Sequence, residues 1–190
     1  NEREASYNKK NMTFEKHHER EIVENADVTQ GNLVLGISID ESSKREKYVA
    51  IVYNSILGGS ATSKMFQIVR EKHSLAYTAS SNYLRHKNCI FVRCGIEIDN
   101  YKKTLDLIKV QIEDMKKGEF TEYDIQNAKK GIISIVRMIP EEQDTEVTYY
   151  LGQELAEQKM TFEEYEGEVN SVTKEEIMSF ASKVNVDTIF

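Results

Sequence analysis

A repeated change of hydrophobic period is what most limits the folds open to this chain. NLVLGISID, residues 32–40, is apolar on both faces from Leu33 to Ile39, which reads as a strand in the middle of a sheet. From Ser43 the period lengthens: Tyr48, Val49, Val52 and Ile56 fall on one side, the stripe of a helix packed on a sheet, and Gly58 and Gly59 stop it. A second helix is expected from about Thr62 to Lys72, burying Met65, Phe66 and Val69. AYTASSNYL and CIFVRCGIEI then alternate as a strand pair joined by RHKN. Upstream, FEKHHEREIVE reads as an earlier strand, joined to NLVLGISID by a polar turn around Asp27 to Gly31.

The C-terminal half keeps the helical period. Leu105, Ile108, Ile112 and Met115 form one stripe that ends at Gly118, and Ile125, Ala128, Ile132 and Val136 form the next, which Pro140 ends or kinks. Thr121 with Asp124 has the form of a capping box, and TFEE at Thr161 and TKEE at Thr173 repeat that chemistry before two shorter helices. A further helix carries Val147, Leu151 and Leu155, and VDTIF reads as a last strand. The order predicts an α+β fold, a two-layer sandwich of a mostly antiparallel sheet with helices on one face, without doubly wound alternation.

Length and composition narrow the class. At 190 residues one compact domain is expected, residues 13–190, preceded by a polar, aperiodic linker or tether at residues 1–12. Because the chain opens on Asn1 rather than Met, it reads as a domain excised from something longer. A net charge of −7 argues against nucleic acid as partner, since phosphate binding needs clustered Lys and Arg. The longest apolar run, YVAIVYNSILGG, is interrupted by Asn54 and Ser55, so no membrane span is expected. Cys89 and Cys94 on one strand would stand roughly 16 Å apart on opposite faces, too far to bridge. Two unpaired thiols suit a reducing compartment, and the cytoplasm is the expected location.

Several chemistries fail on spacing. In GGSATSKM, Ser63 precedes Lys64 and Met65 follows it, so both the glycine and the hydroxyl of a phosphate loop are missing. His17, His18, His73 and His86 belong to neither H-E-x-x-H nor H-x-x-E-H, and no metal site is expected in this chain. His17 and His18, on one strand, would face opposite ways. There is no G-x-S-x-G nucleophile elbow. The acidic runs EEQDTE and TFEEYEGEVN read as helix starts and solvated faces.

What remains is NSILGGSATSKMFQIVREKHSLAYTASSNY, residues 54–83, which resembles the C-terminal-half motif of the insulinase/pitrilysin zinc peptidases, the inverzincins. The match rests on a helix ending in LGG, a small-residue loop, the helix SKMFQIVREK, and SLAY leading into a strand; in overall pattern it covers most of residues 13–190. The resemblance implies a metallopeptidase-half, processing-peptidase-like fold. That family is built from homologous halves closing around a peptide, one of which carries zinc on H-x-x-E-H. This chain resembles the other half. Zinc is therefore expected in a partner half, in the same polypeptide or a separate subunit, with no cofactor in this chain and no activity from it alone. Arg70 and Tyr77 occupy the motif positions of the Arg and Tyr that reach the peptide substrate, and are the expected catalytic donors. Gly58, Gly59 and Ser60 are expected to let the substrate backbone pass close by, or to form a simple turn between helices. The alternative role is a scaffold or peptide-binding subunit that keeps the fold without turnover.

Overall fold

A computed structural model describes residues 19–40, 43–155 and 159–190. In chain order it holds β1 (Arg20–Glu21), β2 (Gln30–Ile39), α1 (Glu46–Leu57), a π-helix (Met65–Lys72), β3 (Ala76–Leu84) and β4 (Cys89–Glu97). Then come α2 (Tyr101–Lys117), α3 (Glu122–Met138), α4 (Gln143–Leu155), α5 (Phe162–Asn170), α6 (Lys174–Ala181) and β5 (Val184–Ile189). The expected linker, and the strand residues Phe14 to His18, lie outside the described residues.

The sheet runs β1-β5-β2-β4-β3, with β2 in the middle as its apolar run predicts. β2 pairs antiparallel with both β4 and β5, and β3 pairs antiparallel with β4. The expected first strand is corrected in two ways. Among its described residues only Arg20 and Glu21 pair, and they pair in parallel with Thr188 and Ile189 of β5 rather than with β2. The last strand of the chain inserts between the first two.

One face of this sheet carries the core. Leu33, Leu35, Ile37 and Ile39 alternate inward on β2, as do Ile90, Val92, Cys94 and Ile96 on β4. The stripes of α1, α2 and α3 close over them, including Val52 and Ile56, Ile108 and Ile112, and Ile125 and Val136. Each such side chain contributes roughly 1.5–3 kcal/mol by leaving water, which is what holds the helix layer to the sheet. The other face is only half covered, with Val34, Gly36, Ser38 and Phe91 all partly exposed.

The helix ends follow their local chemistry. Thr121, Thr161 and Thr173 each cap a helix through a complete capping box, with Asp124, Glu164 and Glu176 reaching back to the cap backbone. Gly118 ends α2 in the left-handed region at φ 76°, and Pro140 lies in the 3-10 turn that follows α3. Arg45, just before α1, ties that helix to α5 and α6 through Glu168 at 2.6 Å and Glu176 at 2.9 Å. The Arg45 guanidinium holds the Glu176 carboxyl below the usual range.

One helical expectation is corrected, and one that holds proves to be unburied. The helix expected over Thr62 to Lys72 forms as a π-helix over Met65–Lys72, with Met65 and Val69 buried but Phe66 only half-buried. Val147, Leu151 and Leu155 do lie on a helix, yet α4 buries none of its residues and Leu151 is 57% exposed. Among the described residues no helix is long and apolar enough to cross a membrane.

Candidate functional site

The loop after α1 closes the outer edge of the sheet. β3 is the edge strand, and its Ser81 turns its N–H away from β4 to donate to Gly58 O at 2.9 Å. Ser81 Oγ donates to Asn54 Oδ1 at 2.8 Å, fixing the last turn of α1 to the strand. A side chain at position 58 would collide with that strand: a Cβ there would stand 2.5 Å from Ser81 N. Gly58 is therefore buried for a close approach within the chain itself. Gly59 is exposed, and Ser60 is half-buried with its hydroxyl donating to Ser55 O at 3.3 Å.

Arg70 comes from the π-helix. The wider turn appears in His73 N–H donating to Ile68 O at 3.1 Å, an i→i−5 bond, and single stretches of this kind are often found at functional positions. The Arg70 guanidinium lies 4.5 Å from the centre of the Phe66 ring, and its Nε is 3.6 Å from Glu71 Oε1. The side chain is 42% exposed, so neither contact locks it. The chain then turns sharply: Ser74 has φ 51°, and Leu75 N–H donates back to Val69 O at 3.1 Å.

Tyr77 owes its position to a bulge. Ala76 pairs with Ile96 and Thr78 pairs with Gly95, so Tyr77 is the extra residue on β3 and has no partner on β4. Thr78 takes the place opposite Gly95 and its Oγ1 accepts from Gly95 N–H at 3.0 Å. The phenol, 48% exposed, instead crosses diagonally and donates to Glu97 Oε1 at 3.0 Å. The Glu97 carboxylate beside it holds the phenol above the ordinary tyrosine range. Arg70 and Tyr77 thus flank one sharp turn and both face solvent, but they do not bond to each other.

Glu97 is not legible as a site residue in the sequence, since it lies twenty residues from Tyr77 and carries no motif. The bulge shows in the burial pattern rather than in the sequence: the inward positions Ala76, Ala79 and Ser81 are spaced three and then two, where a regular strand keeps two. Among the described residues no group of three His, Cys, Asp or Glu is placed to hold a metal ion. His73 precedes β3 and His86 follows it, so the strand's length separates them, and the described residues do not fit zinc. A cavity of about 170 Å³ beside Arg85, with Tyr48, Tyr149 and Tyr165 in its wall, lies at the far end of β3 from Tyr77.

The two-layer α+β domain keeps the helix, turn and strand order on which the resemblance to a metallopeptidase half rests. The sequence matches the peptidase M16 inactive domain over residues 3–132, and the chain belongs to that family. It is 34% identical over 184 residues, 95% of this chain and 42% of the relative, to the probable inactive metalloprotease YmfF of Bacillus subtilis (strain 168). To the uncharacterized zinc protease YmxG of the same organism it is 24% identical over 170 residues, 88% of this chain and 42% of that one. Among solved structures, a conserved protein from Enterococcus faecalis V583 superposes with a TM-score of 0.83 at 29% identity, covering 92% of this chain and 41% of the other. A peptidase M16 inactive domain from Pseudomonas fluorescens gives a TM-score of 0.71 at 19% identity, covering 90% and 42%. The chain spans about two fifths of the length of the curated relatives it matches.

Proposed function

We propose that this chain is the substrate-holding, zinc-lacking part of a metallopeptidase, with Arg70 and Tyr77 as donors to the peptide. The observation that carries this reading is the bulge: it takes Tyr77 out of the strand ladder and presents its hydroxyl to solvent beside the turn that presents Arg70. When a peptide carbonyl is attacked, negative charge grows on its oxygen, and donors already in place favour that state. Arg supplies N–H groups in a fixed fork and Tyr one O–H. Gly59 and Ser60 form the accessible part of the neighbouring loop and are the backbone beside which an extended peptide passes. Gly58 supports them from beneath through its contact with Ser81. The zinc that the family implies belongs to a partner half, either earlier in the same polypeptide or on another subunit. The free thiols of Cys89 and Cys94 suit a reducing compartment, the cytoplasm.

Reconstitution tests this reading. The chain alone is expected to hydrolyse no peptide, and a zinc-bearing half supplied with it is expected to cleave peptides far faster than either part alone. A zinc-bearing half that works equally well without this chain would overturn the proposal. A second reading, a scaffold or peptide-binding subunit without turnover, is favoured by one observation: the relative at 34% identity is described as a probable inactive metalloprotease. That reading requires every stable partner, and the rest of the polypeptide, to lack H-x-x-E-H.

A further inference from the structure

We propose that Glu97 is a positioning residue that engages the Tyr77 hydroxyl and competes with a substrate oxygen for its single proton. The inference rests on the donor role given to Tyr77 above and deepens it. In a regular ladder Tyr77 would stand opposite Gly95, and the bulge gives that place to Thr78. The displaced phenol meets Glu97, one residue beyond Ile96, where β4 ends. The other Glu97 oxygen accepts from Asn100 Nδ2 at 3.5 Å, so the turn after β4 helps hold the carboxylate toward Tyr77.

A phenol has one proton to donate. A carboxylate is a stronger acceptor than a neutral peptide carbonyl, because its bond is charge-assisted. A bound peptide must therefore draw the Tyr77 proton away from Glu97, and that exchange weakens substrate binding. Glu97 and Tyr77 are both exposed, so the released carboxylate returns to water and the exchange remains within reach of an arriving ligand. A merely structural pair at the end of the β3–β4 ladder would lack this link to substrate.

The test is steady-state peptide cleavage by the complete peptidase, zinc-bearing half included, in four forms: unmodified, Glu97→Gln, Tyr77→Phe, and both together. Glu97→Gln is expected to lower KM about threefold to tenfold without lowering kcat, and the gain is expected to vanish in the Tyr77→Phe background. An unchanged KM, a fall in kcat, or the same gain with and without the Tyr77 hydroxyl would overturn the proposal. The two readings fail separately. If Tyr77→Phe alone leaves turnover untouched, the donor role falls and this inference with it. If Tyr77→Phe lowers turnover but Glu97→Gln shows no Tyr77-dependent effect, only the inference falls. A second measurement needs no activity: NMR titration of the Tyr77 phenol in this chain. Glu97→Gln is expected to bring that titration down toward the ordinary tyrosine value, and an unmoved titration would remove the contact on which the proposal stands.

Discussion

Ser81 and Gly58 show how a single atom is accommodated here. The backbone of the edge strand approaches position 58 so closely that a methyl group has no room, and the obstacle is main chain rather than a side chain that could turn aside. Gly58→Ala is expected to destabilise the fold by about 1–3 kcal/mol, the usual range for overpacking, as a lower urea midpoint. A substitution that leaves the midpoint unchanged would mean that the loop lifts off β3 at little cost. Cys94 makes a different test. Burial beneath the helix layer pushes its thiol up to about 12, so it is expected to resist thiol reagents at pH 8 while the half-buried Cys89 reacts faster. The native value lies above the unfolded one, so the folded state holds this proton more tightly. That contribution to stability is complete below about pH 8.5, the ordinary thiol value, and is lost as pH rises toward 12. Urea midpoints at pH 8 and pH 10.5 are expected to fall less, between those two values, in Cys94→Ala than in the unmodified chain.

At the scale of elements, the capping threonines and α4 lead to opposite expectations. Thr173→Ala removes the acceptor of the Glu176 N–H and is expected to cost about 1 kcal/mol, read from thermal or urea unfolding. Leu151→Ser is expected to change stability by less than about 0.5 kcal/mol, because Leu151 is exposed although its spacing belongs to a helix stripe. The contrast explains what was readable beforehand. Capping boxes, glycine and proline stops, and the stripes of α1 to α3 are local patterns, and the structure keeps them. Which stripe finds a partner is a tertiary fact, so Val147, Leu151 and Leu155 read like Ile125, Ile132 and Val136 in sequence and differ only in the fold. The insertion of β5 between β1 and β2 is likewise a long-range pairing with no local mark. Eight residues are too few for an apolar pattern to separate the period of a π-helix from that of an α-helix, so Met65–Lys72 reads as an ordinary helix. Of the candidate site, the resemblance names Arg70 and Tyr77, but the bulge at Tyr77 is not marked in AYTASSNYL, which reads as a regularly alternating strand. Glu97 depended on the register of two strands.

For the whole molecule, the distribution of chemistry matters more than any one residue. The helix layer and one sheet face make a closed core, while Arg70 on the π-helix, Tyr77 near the start of β3 and the Gly59–Ser60 loop lie outside it, exposed or half-buried. Loops and strand ends on a rigid scaffold are where binding groups are commonly carried. The described residues offer exposed donors and hold no group of three His, Cys, Asp or Glu placed for a metal ion. The most direct measurement is turnover of a peptide by the complete peptidase carrying Arg70→Ala or Tyr77→Phe in this domain, with folding of each variant checked by its unfolding midpoint. Loss of either donor is expected to lower kcat on the order of 100-fold, with the midpoint unmoved, because both side chains are exposed. Turnover that stays at the unmodified level in both variants would contradict the donor role at the centre of this reading.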